Sequence, residues 1–393
     1  MALTKLTKNL IDGTFGTEWV STIQTSNFTA EAAKGYFVNT TAGTITINLP
    51  AGVVGTEIVI QDYAGTFATN EVLLNPNGSE KIQGSSTIQG QITTNNATAT
   101  LVYQDTTKGW TSQDVSLVPQ NPVVTYLVVA GGGGAGYDDY GGAGAGGLRT
   151  SYGTVSGGGS SAESTLTLLK ATNYIVTVGA GGNGGQANPT SGSNSVFNTI
   201  VSQGGGAGIN SGNTINGGSG GGGSGNNSGG IPVGQGAVNQ GFDGGTGYSR
   251  SGGNTNEGGG GGGGAAAVGG SASPYTGGNG GTGLALGISG STIMYAGGGG
   301  GGGITTGGTG GAGGGANGTG AANPAPGGAN TGGGGGASGA NSGSYSGSAG
   351  GSGIVILRYS SVFTLSGLSG STITSGTDKI TTFTSGTGNI QFN

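Results

Sequence analysis

Glycine constrains this chain more than any other residue type. The stretch NTINGGSGGGGSGNNSGG, residues 213–230, is written almost entirely in glycine, serine and asparagine, and 103 of the 393 residues are glycine. Tracts of this kind are usually flexible linkers. Apolar, strand-like segments such as VVTYLVVA and GIVILRY recur between the tracts, however, and a spacer would not need them. The sequence therefore predicts that the glycine-rich region is ordered architecture.

Several glycine tracts repeat with a period of three residues. GGTGGAGGG at 307–315, GGNGGTG at 277–283 and GGNGG at 181–185 each alternate two glycines with one small residue. Three residues per turn is the period of the polyproline-II helix. Collagen has the same period but needs an unbroken Gly-X-Y repeat and abundant proline, and this chain has nine prolines. The polyglycine form of the helix remains, in which neighbouring backbones hydrogen-bond directly.

The energetics demand that such a lattice be nearly complete. Ordering glycine costs roughly 0.5–1 kcal/mol more than ordering alanine. A backbone hydrogen bond returns only about 0.5–1.5 kcal/mol net. We therefore expect nearly every backbone group of an ordered glycine region to be paired.

The charged and reactive residues exclude several classes of function. The chain has 10 Lys and Arg, 15 Asp and Glu, a net charge of −5, and neither Cys nor His. A nucleic-acid partner would need a clustered basic face, and disulfides, thiolate metal sites and imidazole catalysis are absent from the outset. We expect no cofactor, no metal site and no membrane insertion, since no long apolar segment occurs. We also expect no signal peptide, which favours cytoplasmic assembly and release by lysis, as for a virion component.

Composition changes along the chain predict a mainly β protein with a polyglycine-II helix sandwich. Residues 1–118 read as a small antiparallel β domain for attachment or oligomerisation, with Trp19 and Trp110 as core or edge packing. Ile45, Ile47 and Leu49 alternate with polar residues there, the period-two pattern of a half-buried strand. PQNP at 119–122 is the expected linker. Residues 123–360 form the glycine-rich domain, and 361–393 a short C-terminal β segment.

Enzyme signatures are weak, so we expect no enzymatic activity. VVAGGGGAG imitates a dinucleotide-binding turn, but glycine-rich matches carry little information here, and the following YDDYGGAGAGG cannot form the helix that would bind a pyrophosphate. Asp138 and Asp139 are adjacent rather than a facing acid pair, and they fall far short of the six to eight oxygens of a calcium site.

Bulky residues between the tracts are the candidate ligand-binding residues. Aromatic faces beside carboxylate, amide or guanidinium groups suit sugar stacking or a polar protein loop. The alternative is that they cap the ends of the bundle or pack between subunits. The candidates are Tyr137, Asp138, Asp139, Tyr140, Phe242, Tyr248, Arg250, Tyr275 and Tyr345.

Four motifs in order carry a resemblance to a known family. TYLVVAGGGGAG, GGAGAGGLRTS, YIVTVGAGGNGG and GGSGIVILRY resemble the glycine-rich domain of bacteriophage tail-fibre and adhesin proteins. The stretch YFVNTTAGTITINLPAG is similar to small β modules of phage fibres. The resemblance implies a sandwich of polyglycine-II helices whose loops recognise the host surface.

The function expected from this resemblance is that of a tail-fibre or fibre-tip adhesin. It would be located in the virion, would be extracellular after release, and would bind a host-surface glycan or outer-membrane protein. A homotrimer attached to other virion fibre or tail proteins is also expected. The alternative is a structural subunit of a filament or fibre without direct receptor binding.

Overall fold

A computed structural model describes twelve stretches of the chain. These are residues 17–84, 90–112, 114–115, 117, 121–137, 140–186, 188–208, 216–225, 233–249, 257–339, 345–361 and 363–393. The chain divides after Gln120 into an N-terminal unit and a glycine-rich unit that begins at Asn121. Both units consist of strands and irregular backbone, and the one helical turn among the described residues is a 3-10 turn at Gly157–Gly159.

The described residues of the N-terminal unit form nine strands in two sheets. They are β1 Glu18–Gln24, β2 Phe28–Thr29, β3 Lys34–Val38, β4 Ile45–Asn48, β5 Glu57–Asp62, β6 Val72–Asn75, β7 Gly90–Ile92, β8 Thr98–Tyr103 and β9 Trp110–Thr111. One sheet has the order β1-β3-β5-β8-β9 and the other β2-β4-β6-β7. From β1 to β6 the chain alternates between the sheets, so it winds through three coils.

The prediction that the N-terminal domain is antiparallel is wrong for its first six strands. The pairs β1–β3 and β3–β5 in one sheet, and β2–β4 and β4–β6 in the other, are all parallel. Among the strands described in this unit, antiparallel pairing appears only where β7, β8 and β9 close the stack. The alternation of Ile45, Ile47 and Leu49 identifies the buried face of a strand but carries no information about the direction of its neighbour.

The two tryptophans have different positions in the N-terminal unit. Trp110 is fully buried, and its Nε1 donates to the Glu80 carboxylate at 3.1 Å. Trp19 lies on the edge strand β1, is 41% exposed, and stacks on Phe37 with ring centroids 4.6 Å apart. The sequence predicts core or edge packing for the two tryptophans: Trp110 lies in the core and Trp19 at the edge.

Thirteen strands lie in the part of the glycine-rich unit that the structure describes. They are β10 Val123–Val129, β11 Leu148–Thr150, β12 Leu166–Thr167, β13 Tyr174–Thr177, β14 Ser195–Phe197, β15 Ile200–Ser202, β16 Leu284–Leu286, β17 Ile293–Tyr295, β18 Ile354–Ser360, β19 Leu365–Gly367, β20 Ser371–Ser375, β21 Asp378–Phe383 and β22 Thr387–Phe392. The sheets have the orders β11-β10-β18-β21-β20, with β12 also pairing β10, then β15-β14-β13-β22-β19, and β16-β17.

The C-terminal segment is built into these sheets. Strand β21 pairs with β18 along six residues, and β22 pairs with β13, which lies more than 200 residues earlier in the chain. Phe383, Ile390 and Phe392 join one buried cluster with Tyr126 and Val355. Residues 363–393 thus belong to the glycine-rich unit, whereas the sequence suggested a separate β segment.

Tract 297–303 shows how the glycine tracts are joined. Its N–H groups donate in turn to three different neighbours, and the same neighbour returns at every third residue. The bonds run from Gly297 to Gly313, Gly298 to Gly281, Gly299 to Ala143, Gly300 to Ala316, Gly301 to Gly278, Gly302 to Tyr140 and Gly303 to Thr319, at 2.8–3.5 Å. The hydrogen-bonding direction therefore repeats with the three-residue period expected from the sequence.

The carbonyl groups of the same tract accept from three further neighbours. Donors to the oxygens of residues 297–302 are, in order, Gly334, Gly311, Gly262, Ala337, Gly308 and Gly259. Six segments therefore surround this one tract and satisfy its backbone on all sides. Tract 258–264 follows the same rule, since Gly259 and Gly262 both donate to tract 297–303, while Gly260 and Gly263 donate to tract 217–225.

Close approach of the backbones explains why glycine fills the interior. A Cβ atom added at Gly262 would lie 2.0 Å from the carbonyl oxygen of Ala143, and one added at Gly298 would lie 2.1 Å from that of Gly262. Real Cβ atoms do not approach backbone so closely. The neighbouring tracts occupy the space that side chains would otherwise take.

Tracts at the surface show a matching period in their exposure. In GGNGGTG, Asn279 and Thr282 are exposed, whereas Gly278 and Gly281 are buried. The non-glycine residue of each triplet thus faces solvent, and the two glycines face the neighbouring tracts.

Candidate binding apex

The glycine-rich unit has its strands at one end of the tracts. Tract 131–136 begins just after β10, and tract 141–147 leads directly into β11, so the turn between them lies at the opposite end. Tract 297–303 likewise starts after β17, and its Gly302 donates to the carbonyl oxygen of Tyr140 at 3.1 Å. We call the end that holds this turn the apex, and the other end the strand end.

Tyr137 and Tyr140 form an aromatic pair at the apex. Their ring centroids are 5.9 Å apart with an interplanar angle of 30°. Tyr140 packs against Ala135, Ala143 and Ala337, and a Cβ atom on Gly136 would lie 2.1 Å from its ring. Tyr140 is therefore anchored on the lattice, and Tyr137, which is half-buried as well, lies beside it.

Tyr248 reaches the apex through paired backbone hydrogen bonds. Its N–H donates to Gly258 at 2.8 Å, and Gly258 donates back to its carbonyl oxygen at 3.1 Å. Gly258 also forms a bridge with Gly303, the last residue of tract 297–303. These contacts place Tyr248 at the same end as Tyr140.

Tyr275 lies in the turn between tracts 266–272 and 276–283. It is 42% exposed and has a φ of +66°, in the left-handed region that bulky residues rarely adopt. Its carbonyl oxygen accepts from Thr305 at 2.9 Å and Thr306 at 3.3 Å. Strain of about 1–3 kcal/mol at such a residue is typical of functional sites and gives a reason to test this one.

Tyr345 begins the tract that leads to β18. Three residues later, the carbonyl oxygen of Ser348 accepts the N–H of Ala135 at 2.9 Å. Ala135 lies two residues before Tyr137. Ser346, the residue after Tyr345, donates its N–H to the Oδ1 of Asn323 at 2.8 Å. The structure therefore brings five candidate residues to one end of the unit: Tyr137, Tyr140, Tyr248, Tyr275 and Tyr345.

Phe242 does not join them. Its N–H donates to the carbonyl oxygen of Gly264 at 3.0 Å, and its ring lies near Gly159. The next residue after Gly264 is Ala265, which is buried in one cluster with residues of strands β10 and β11. The sequence GFDGG continues a tract instead of forming a turn, so this residue lies near the strand end. Asp138, Asp139 and Arg250 lie outside the described residues.

An ion pair with a hydrogen-bonded tyrosine lies at the strand end. Glu163 binds Arg149 through two hydrogen bonds of 2.7 Å and accepts the Tyr126 hydroxyl at 2.8 Å. Burial, reinforced by the Glu163 hydrogen bond, raises the pKa of Tyr126 well above its usual range. This cluster joins β10 to β11 and is structural.

None of the described segments is a helix with the length and apolar character that a membrane crossing requires. The described part of the chain also brings together no group of three or more Asp or Glu side chains suited to a metal ion.

Comparison with known proteins identifies the family of this chain. The profile of a family described as a glycine-rich domain matches residues 106–360, which is more than half of the chain. The match begins before β9 and so extends further towards the N-terminus than the predicted boundary at 123. No curated protein matches the chain. With most of its length covered by this profile, the chain belongs to the glycine-rich domain family.

Proposed function

We propose that this chain is a non-enzymatic receptor-binding component of a bacteriophage tail fibre. The apex would contact a host-surface glycan or an outer-membrane protein. The observation that carries the proposal is the gathering of Tyr137, Tyr140, Tyr248, Tyr275 and Tyr345 at one end of the tracts, opposite the strands. The resemblance of the four ordered motifs to phage fibre domains points to the same function.

The lattice is proposed to be a sandwich of polyglycine-II helices. Support comes from the three-residue return of hydrogen-bonding direction in tracts 258–264 and 297–303. A left-handed three-residue helix requires a negative φ. None of the glycines in these two tracts has a positive φ. Seven residues at about 3.1 Å each would span roughly 20 Å.

A rigid lattice suits recognition by its turns. Its surface offers mostly small side chains, whereas binding energy usually concentrates in a few aromatic or arginine anchors. Turns fixed at both ends to hydrogen-bonded tracts lose little conformational freedom on binding, which favours affinity. Tyr275 meets both conditions, because the tracts on both sides of its turn are hydrogen-bonded to neighbours.

Assembly into a virion completes the proposal. We propose that the chain forms a homotrimer, that it joins other fibre or tail proteins, and that it acts outside the cell after release. Edge strands with unpaired backbone groups favour such contacts. In the N-terminal unit, β1 is an edge strand whose Trp19 is 41% exposed.

Adsorption of phage to host cells tests the proposed role of the apex. The variant combines Tyr137→Ala, Tyr248→Ala and Tyr275→Asn, since asparagine tolerates the positive φ at 275. We expect assembled particles that adsorb at least about tenfold more slowly, because each anchor removed costs about 1 kcal/mol or more. Tyr63→Ala is the matched control, since Tyr63 is 55% exposed in the N-terminal unit.

Two results would contradict the proposal. Assembled triple-variant particles that adsorb like the parent would show that the tyrosines do not bind a receptor. Loss of assembly in the triple variant but not in the control would favour the alternative of a structural fibre subunit.

A further inference from the structure

The dipeptide Asn-Gly occurs five times in this chain, at 77–78, 183–184, 216–217, 279–280 and 317–318. Asparagine is chemically labile, and glycine as the next residue leaves its side-chain amide open to attack because glycine has no Cβ atom. Attack requires the backbone nitrogen of the glycine to reach Cγ of the asparagine. The environment of these two atoms therefore decides the fate of each site.

In two of the lattice sites, the neighbouring tract holds both groups. The Oδ1 of Asn279 accepts the N–H of Thr309 at 2.9 Å, and the N–H of Gly280 donates to the carbonyl oxygen of the same Thr309 at 2.8 Å. Asn216 repeats the arrangement. Its Oδ1 accepts from Gln235 at 2.8 Å, and Gly217 donates to Gln235 at 3.2 Å. The attacking nitrogen and the target carboxamide are thus held apart by one residue of the neighbour.

The other lattice sites are also held. Asn317 accepts from Gly310 at 2.8 Å, while Gly318 donates to Gly308 at 2.8 Å. Asn183 is fixed through its main chain, which donates to the Thr190 hydroxyl at 2.9 Å and accepts from the Thr190 N–H at 3.0 Å. Each asparagine is exposed, but the backbone around it cannot rotate freely.

Asn77 has a different environment in the N-terminal unit. It lies with Gly78 in an exposed turn between β6 and the buried Ile82. Gly78 has a φ of +56°, and a Cβ atom placed on it would meet nothing within 4 Å. A 3.1 Å hydrogen bond from the N–H of Glu80 to the carbonyl oxygen of Asn77 closes the turn. Within the described part of the chain, no group hydrogen-bonds to the Asn77 carboxamide or to the Gly78 nitrogen.

We propose that Asn77 is a site of spontaneous deamidation, and that the lattice protects Asn216, Asn279 and Asn317 from the same reaction. The Gly78 nitrogen gives up its proton to solvent base and bonds to Cγ of Asn77. The carboxamide nitrogen takes up a proton and leaves as ammonia. Water then opens the resulting succinimide to aspartate or isoaspartate, which adds one negative charge to the turn.

One tract position of this chain already carries an aspartate where the others carry asparagine. Asp243 precedes Gly244, and its Oδ1 accepts the N–H of Gly236 at 2.8 Å, as the asparagines do. An ordinary aspartate can therefore replace asparagine at such a position. Isoaspartate adds a backbone methylene group and would disturb the three-residue register, which gives the protection of the lattice sites a structural consequence.

Peptide mapping by mass spectrometry of the aged, intact protein tests the proposal. Native protein and protein unfolded in urea are incubated side by side, and the extent of conversion is measured at each Asn-Gly site. In the native protein we expect Asn77 to convert at least about tenfold faster than Asn279, since the lattice site must first break two hydrogen bonds. In urea we expect similar rates at all five sites.

The unfolded sample supplies the internal control, so no variant has to fold. Native Asn77 that stays intact while the same site converts in urea would overturn the proposal. Native Asn279 that converts as fast as native Asn77 would overturn it as well. Asn77→Gln should remove the fast-converting product and leave the remaining sites unchanged.

Discussion

A Cβ atom at Gly311 would lie 2.0 Å from the carbonyl oxygen of Gly281 and 2.7 Å from the carbon of that group. The next residue, Ala312, is exposed and already carries a methyl group. At the scale of single residues, the direction in which a position faces therefore decides whether a side chain is tolerated. The same tract contains both cases.

Replacing Gly311 by valine should destabilise the protein strongly. The branched side chain would push tract 307–312 away from tract 277–283 and break the hydrogen bonds between them. We expect a loss of at least about 3 kcal/mol in the free energy of unfolding, measured by denaturant titration. Ala312→Val is the matched control and should change stability by less than about 0.5 kcal/mol. Equal effects of the two substitutions would show that the tracts are not closely packed.

Exposed asparagines connect tracts at the scale of elements. Because Asn279 accepts the N–H of Thr309, Asn279→Ala should cost about 0.5–1.5 kcal/mol of stability. Asn279→Asp keeps an oxygen at the acceptor position, as Asp243 does naturally, and should cost less. Thermal or denaturant unfolding measures both. If aspartate were as damaging as alanine, the side-chain oxygen would not be the stabilising group.

The buried tyrosines of the strands should make stability depend on alkaline pH. Burial raises the pKa of Tyr126, Tyr295 and Tyr359 above the ordinary value of 10.0. A raised pKa in the folded state means that the stabilising contribution is fully present below about pH 10 and is lost as the pH rises further. We expect the denaturant concentration at half-unfolding to decrease as the pH is raised above about 10. The decrease should be less steep in Tyr126→Phe. An unchanged slope in that variant would contradict the assignment to Tyr126.

Individual elements show what the sequence could and could not predict. The triplet pattern of GGNGGTG predicts the three-residue period, and the structure shows which position faces solvent, namely Asn279 and Thr282. The pairing of β13 with β22 could not be predicted, because nothing local in either strand specifies a partner more than 200 residues away. The parallel coils of the N-terminal unit were missed for a similar reason.

The candidate residues were predicted only in part. Tyr137 lies at a bend, Tyr275 in a turn and Tyr248 in a bridge with Gly258, all at breaks in the glycine pattern. Their role in binding stays a prediction. Phe242 lies apart from them because its segment continues as a tract. The positive φ of Tyr275 left no signal in the sequence, since it depends on the turn that joins two particular tracts.

At the scale of the whole molecule, the unpaired sheet edges favour self-association. Among the described strands, β1 and β20 each have one hydrogen-bonded neighbour, and Ile373 on β20 is 50% exposed. We expect light scattering to give a trimer mass that persists on dilution. A monomer mass over a wide range of concentration would contradict the proposed assembly.

Backbone amide hydrogen exchange tests the central claim, which is that the glycine tracts form a hydrogen-bonded lattice and not a flexible linker. Residue-resolved exchange should be measured for tract 297–303, whose N–H groups all have partners in neighbouring tracts. The lattice predicts that these amides exchange as slowly as those of the buried strands β10 and β18, with opening energies near the global stability. Exchange at the rate of an unstructured glycine chain would contradict the lattice.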